Sequence, residues 1–416
     1  MPADATWFRD AKFGLFVHYG LPAIPAGEWR GKRMGRNHYA EWIRMQWGWP
    51  APGGIPRADY DTLIGQFNPV AFDADALVGE AAAAGMRYVV FVTKHHDGFA
   101  MWHSRVSPYG MDATPSHRDL VAEVTAACRK HGLKVGFYYS HWLDWDHPGG
   151  GLPPWPEIKA DPPVQQPSDA MYERYWTEKC LPQVRELIDG FGPDLFWFDS
   201  WGDRTAAQLT PDRLGRLVAL IRARSPRTLI NSRIGPGATD VDFLSMDDNH
   251  FPPKRIARPW ETSGTTNRSW GFNQFDFDYK PTKVLIRSLA DNVSRNGNFQ
   301  LNVGPRGDGS LPAAAVRRLR EMGAWTGVNA DAIYGTRPVD APEPAWGRVV
   351  RNGDRFFLYV YELPADHKLL LPVGLPPFVS ATVLETGEAW PVAGETVTAG
   401  RALPDERVTV VEMRAA

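Results

Sequence analysis

Up to Tyr334, short apolar runs alternate with amphipathic segments, and this alternation restricts the fold more than any other feature of the chain. The runs at 12–19, 88–95, 134–140, 194–199, 228–233, 241–246, 259–262 and 299–303 have the length and apolar character of buried strands. Between them, segments such as 74–84, 120–131, 172–190, 211–224, 283–295 and 313–328 repeat apolar residues at three- and four-residue spacing. Gly85, Gly132 and Gly190 stand where helix C-caps are expected. Strands separated by helices predict parallel pairing, and eight of them predict a (β/α)8 barrel of the TIM type. After Tyr334 the segments 347–350, 355–361, 368–371, 380–383 and 407–413 are short and divided by Pro and Gly. They predict a small antiparallel β-sandwich domain over 335–416, following a barrel over 1–334.

A chain of 416 residues with 43% hydrophobic and 23% charged residues has room for one barrel and a small accessory domain. A formal net charge of −2 leaves no electrostatic footprint for nucleic acid or an anionic membrane, so neither is expected as a partner. Cys128 and Cys180 both lie in helix-like segments and read as buried free thiols rather than a disulfide or a metal site. The first residues lack a basic stretch followed by an apolar core, and no run of about 18 apolar residues occurs. A cytoplasmic protein is therefore expected, although removal of a leader would leave a start of the same kind. The 17 Trp residues exceed what a core requires, and aromatic faces grip the flat apolar faces of sugars or bases.

The run from Gly192 to Trp201 reads as a buried strand ending on a carboxylate, which makes Asp199 the first candidate catalytic residue. By itself Asp199 could equally cap the next helix. The other strand tips weigh against that reading. They carry His18, the pair His95-His96, Tyr138, Trp197, Arg233 and the acids Asp247 and Asp248, and a barrel gathers all of its C-terminal tips at one rim. The long irregular stretch 147–168 belongs to the same rim. Singly each of these residues could be a satisfied core group; jointly they form a site.

No H-E-x-x-H spacing is present, and adjacent histidines on a strand face opposite ways, so no metal site is expected. No Gly-rich phosphate loop follows a strand, since Gly149-Gly150-Gly151 runs on into prolines. Two carboxylates in different surroundings, with aromatic platforms and neutral hydrogen-bonding groups, suit glycoside cleavage, in which one acid is ionised and the other protonated. Asp199 is the expected ionised member, because a nearby Arg233 would lower its pKa.

Trp7 to Gly20, Gly27-Glu28-Trp29, Lys94 to Phe99 with Met101-Trp102, Gly136 to Ser140 and Trp197-Phe198-Asp199 occur in that order. Asn231-Ser232-Arg233, Pro259-Trp260-Glu261, Ser269 to Phe272, Asn296-Gly297-Asn298 and Leu301 to Pro305 follow. On these segments the chain resembles glycoside hydrolase family 29, the α-L-fucosidases. The resemblance implies a retaining exo-acting enzyme that needs no cofactor and acts on a fucosylated oligosaccharide or glycoconjugate. It implies Asp199 as nucleophile and a fucose pocket of His18, Glu28, Trp29, His95, His96, Tyr138, Trp197 and Arg233. Tyr19, Arg30 and Ser200 depart from the common pattern, which has Trp, Tyr and Gly there. The family's acid/base varies in identity and position and usually follows the arginine strand, so Asp248 is assigned, with Asp247 beside it and Glu261 as the fallback. Glu261 reads equally as a structural acid holding the loop of Trp270. An α-L-galactosidase would use the same chemistry. A silent fucose-binding protein fits less well, because it has no use for Asp199 and three further acids.

Overall fold

The computed structural model describes residues 3–35, 39–45, 54–152, 166–201 and 207–416. Within them the eight barrel strands are β1 Phe13–Val17, β2 Tyr88–Lys94, β3 Lys134–Tyr139, β4 Leu195–Phe198, β5 Leu229–Ile230, β6 Leu244–Ser245, β7 Trp260–Thr265 and β8 Gly297–Val303. They pair in parallel in the order β5-β4-β3-β2-β1-β8-β7-β6. The remaining seam, between β5 and β6, is closed by a parallel bridge between Asn231 and Phe243, with Asp242 N donating to Ile230 O at 2.8 Å and Ser232 N to Phe243 O at 2.9 Å. Outside the strands pack α1 Ala74–Ala83, α2 Leu120–Lys130, α3 Leu181–Phe191, α4 Pro211–Arg224, α5 Thr282–Ser294 and α6 Ala313–Val328. Asp73, Asp119 and Thr210 cap α1, α2 and α4 through side-chain oxygens that accept from the first turn.

The shortness of β5 has a specific cause. Asn231 continues the pairing with β4 through its side chain, its Oδ1 accepting from Phe198 N at 2.9 Å and its Nδ2 donating to Phe198 O at 3.0 Å. The main chain is thereby released from the ladder and turns into a 3-10 segment, Ser232–Ile234, that carries Arg233 over the rim. The strand expected over 228–233 is cut to two residues for this reason, and 241–246 forms a strand only at Leu244–Ser245, with Phe243 joined to Asn231 by the single bridge. The helix expected over 172–190 is also broken. Asp169–Tyr175 leads into a π turn, Trp176–Cys180, before α3 starts, because Pro182 has no N–H to continue the α pattern. Its C-cap is Gly192, at φ 57°, and not Gly190. Residues 153–165 of the predicted loop 147–168 lie outside the described residues.

The short helix Thr6–Ala11 plugs the bottom of the barrel, with Phe8 fully buried against Phe243 and Tyr88 at ring distances of 4.3 and 5.6 Å. Asn298 Nδ2 donates to Phe8 O at 2.8 Å, and Asn296, at φ 74°, donates to Ile256 O and Ala257 O. The Asn-Gly-Asn block therefore closes the N-terminal end of the barrel, opposite the strand tips. Beyond Ile333 the chain forms a six-stranded antiparallel sheet, which begins at Arg337–Pro338, and a three-stranded one, with a second apolar core. These sheets pack on the last two barrel helices: Trp325 Nε1 donates to Val408 O at 2.8 Å and Tyr361 Oη to Asp291 Oδ1 at 2.9 Å. Among the described residues no helix is long and apolar enough to cross a membrane.

Gly297 opens β8 directly beside Trp260, and a Cβ there would lie 2.3 Å from the indole, which is itself tied by Nε1 to Arg295 O. Gly297→Ala is expected to destabilise the protein by roughly 1–3 kcal/mol in urea unfolding, the range for overpacked cores. A change under about 0.5 kcal/mol would show that the indole moves freely.

Candidate active site

Arg233 sits at the centre of the rim with two carboxylates on its guanidinium. Nη2 meets Asp199 Oδ1 at 2.5 Å and Nη1 meets Asp248 Oδ1 at 2.8 Å. The guanidinium lies over the Trp197 ring, 4.7 Å from its centroid, with Trp201 beyond it at 5.8 Å. Ser200, the departure after Asp199, anchors the backbone of the same residue: its N and Oγ donate to Arg233 O at 2.9 and 2.8 Å. Asp199 Oδ2 accepts from the Tyr138 hydroxyl at 2.7 Å, and His96 Nε2 stands 3.5 Å away.

Burial raises the pKa of Asp199, and Asp248 adds to the rise; Arg233 and the Tyr138 hydroxyl pull it back without cancelling it. The expected lowering by Arg233 is present, but desolvation outweighs it. Burial would lower Arg233 as well, yet the two carboxylates raise it, so its charge is secure. Burial drives the Tyr138 phenol well above its ordinary value, with Asp199 reinforcing the effect, so the phenol stays protonated and donates.

Three rings form the wall beside Asp199. Tyr138 stacks on Trp197 at 5.6 Å and on His95 at 5.4 Å, while His18 and His96 approach Tyr138 edge-on or tilted. Both neighbouring histidines reach the site, with centroids 4.3 Å apart, because β2 ends at Lys94 and the strand alternation that would separate them ends with it. Even so, no group of three or more metal-ligating side chains assembles among the described residues.

The remaining acids separate clearly. Asp248 is part-buried on Arg233, whereas Asp247 is exposed. Glu261 lies near the start of β7, inside the barrel beneath Trp197, and is fully buried. It accepts from Trp197 Nε1 at 2.6 Å, Ser245 Oγ at 2.9 Å and Tyr88 Oη at 3.2 Å, and burial lifts its pKa to about 7. It holds the indole floor rather than the Trp270 loop. The acid on that loop is Glu41, whose Oε2 accepts from Gly271 N at 2.8 Å. Glu41 is buried, has a pKa pushed up to about 8 chiefly by burial, and senses the charges of Asp248 and Asp199. Its neighbour Trp42 packs on His96 at 4.9 Å. Sequence reasoning missed Glu41; the only signal was a second Glu-Trp pair, Glu41-Trp42, after Glu28-Trp29. Glu28 and Trp29 form a rim hairpin with Lys32–Arg33, in which Glu28 pairs with Arg33 at 3.4 Å, and among the described residues neither makes a hydrogen bond, ion pair or ring contact with Asp199, Asp248 or Arg233.

The family profile for α-L-fucosidase matches residues 3–331. The α-L-fucosidase of Dictyostelium discoideum is 27% identical over 390 residues, covering 88% of this chain and 80% of that protein. α-L-Fucosidase isoenzyme 1 from Paenibacillus thiaminolyticus superposes with a TM-score of 0.83 at 31% identity, over 99% of this chain and 98% of that one. A Bacteroides thetaiotaomicron GH29 α-L-fucosidase, trapped as a covalent intermediate with 2-fluoro-fucosyl fluoride, superposes with a TM-score of 0.85 at 25% identity, over 98% and 95%. The fold and the rim site thus define a (β/α)8 glycoside hydrolase. The chain belongs to the α-L-fucosidase family.

The site's buried groups set opposing pH dependences. His18 is held neutral by burial, its pKa lowered from 6.5 to about 4, so its contribution to stability is complete above pH 6.5 and is lost as pH falls toward 4, up to about 3 kcal/mol. Glu41 acts in the other direction. The unfolded chain releases its proton near 4.5 and the folded one near 8, so rising pH through that window destabilises the fold. Calorimetric melting is expected to show a Glu41→Gln protein with a shallower downward slope, most clearly between pH 7 and 8, where Glu261, with its pKa near 7, adds little. An unchanged slope would mean that Glu41 is already ionised in the native protein.

Proposed function

We propose that the protein is a retaining, exo-acting α-L-fucosidase whose catalytic unit is residues 1–334, with 335–416 as an accessory β-domain. Its substrate would be a terminal α-L-fucosyl residue on an oligosaccharide or glycoconjugate. The observation that carries the assignment of roles is the single guanidinium of Arg233 between Asp199 and Asp248 at the rim of a barrel of this family. Asp199 is the nucleophile: fixed by Arg233 and by the Tyr138 hydroxyl, its carboxylate attacks the anomeric carbon as the bond to the leaving oxygen breaks. Asp248, the more accessible partner, gives its proton to that oxygen. It then takes a proton from the water that cleaves the fucosyl ester, restoring both carboxyl groups. Trp197, Tyr138 and His95 supply the aromatic wall, and Glu41 and the histidines face sugar hydroxyls. Glu28 and Trp29 are outer rim residues in this reading.

Asp199→Ala is expected to lower turnover by roughly 10⁴ or more while fucose still binds, with added azide partly restoring activity on an aryl fucoside. Near-normal turnover in steady-state assays would end the assignment. The acid/base is tested by leaving group, since proton delivery is worth about 10²–10⁴ for a sugar alcohol and little for a phenolate. Asp248→Ala should therefore impair fucosyl oligosaccharides far more than activated aryl fucosides, and azide should yield a β-fucosyl azide. Glu261→Ala should depress both substrates alike, because it loosens the floor under the sugar. The opposite pattern would move the role to Glu261.

A further inference from the structure

Two polar residues from the recognised segments, Ser140 and Asn302, touch neither carboxylate but each grips one histidine of the site on its Nδ1 side. Ser140 Oγ is 2.6 Å from His96 Nδ1 and 2.8 Å from Leu143 O. A hydroxyl has one proton and a carbonyl has none, so the short contact to Leu143 O must use the serine's proton. Toward His96 the serine can then only accept, and Nδ1 must carry the hydrogen. The other arrangement, with the serine donating to the imidazole, would leave two oxygen lone pairs facing each other at 2.8 Å in a fully buried place. Asn302 argues in the same way. Its Nδ2 donates to Trp270 O at 2.8 Å, which orients the amide so that Oδ1 faces His18 Nδ1 at 2.7 Å and accepts from it.

In both histidines the far nitrogen is left without a hydrogen-bond partner among the described residues. His96 Nε2 is buried and lies 3.5 Å from Asp199 Oδ2, an oxygen already occupied by the Tyr138 hydroxyl. His18 faces His95 and Trp270 at ring distances of 5.8 and 5.2 Å. The charged or titratable groups around the two rings include Asp199, Asp248, Arg233, Lys94, His95 and Tyr138, and burial keeps both imidazoles neutral. A bare nitrogen beside a carboxylate oxygen makes two acceptors with no proton between them. Only a donor brought from outside satisfies that arrangement.

We propose that Ser140 and Asn302 are positioning residues that hold His96 and His18 in the Nδ1–H tautomer, so that each offers a bare Nε2 as acceptor to a donating hydroxyl of the bound sugar. The proposal rests on the fucoside reading for the identity of the donor. His96, next to the attacking carboxylate, takes the hydroxyl nearest the attacked carbon, on C2, since the ring oxygen has no proton to give. The pocket thereby reads hydroxyls as donors, and a group that only accepts is excluded at these two points.

The test is the ¹⁵N spectrum of the histidine-labelled protein, with ring signals assigned through His96→Gln and His18→Gln. Protonated Nδ1 and bare Nε2 are expected for both residues in the unmutated protein. Ser140→Ala should remove the single tautomer of His96 alone, leave that of His18, and lower kcat/KM for an aryl fucoside at least 10-fold; Ser140→Thr should restore both readouts. An Nε2–H signal for either histidine in the unmutated protein overturns the proposal, as does a Ser140→Ala protein with unchanged His96 tautomer, whatever its melting temperature. If the tautomers are as stated but the unmutated protein does not cleave fucosides, the fucosidase reading fails and the tautomer assignment stands.

Discussion

One guanidinium between two carboxylates, in a place largely closed to water, is the constraint around which the rest of the site is arranged. An ion in such surroundings costs several kcal/mol unless it is matched, so Arg233 needs the Asp199 carboxylate against it, with Asp248 on its other nitrogen, and the neighbourhood can carry little further charge. The other titratable groups obey this. Burial holds His18, His95 and His96 neutral, and it pushes Glu41 and Glu261 toward their protonated forms. The site contains many ionisable residues but gathers its charge around Arg233.

Holding that guanidinium in place requires several departures from regular structure. Asn231 replaces main-chain ladder bonds with amide bonds, the chain leaves β5 after two residues, and Ser200 fastens the carbonyl of Arg233 to the end of β4. Trp197 supports the guanidinium from below and is itself held by Glu261. Glu261 thus lies one layer beneath the rim, under an indole, whereas Asp199 and Asp248 stand at the open end. Depth along the barrel axis separates Glu261 from the other two acids.

Long uniform strands were legible from the sequence because each buries both faces, and a run such as 89–92, within the strand Tyr88–Lys94, has no polar interruption to mislead. β5 was overestimated because a side-chain amide can substitute for a backbone partner without changing the apolar pattern. The rim position of His18, Tyr138, Asp199 and Arg233 followed from strand tips. The joint arrival of His95 and His96 did not, since it depends on where β2 stops. The Asn296-Gly297-Asn298 block, one of the segments that carry the family resemblance, closes the barrel floor, where its amides satisfy carbonyls of the plug helix and of a loop.

The sequence by itself determined the barrel, the order of its strands and the chemical character of their tips, because those follow from local periodicity and from the geometry common to parallel barrels. Tertiary structure alone decided which acids meet Arg233. Asp248 does and its neighbour Asp247 does not; Glu261 is drawn into the core, and Glu41, on a different loop, is brought beside the site. The reason is that charge pairing and desolvation depend on distances between side chains far apart in the chain, and no local pattern of residues encodes those distances.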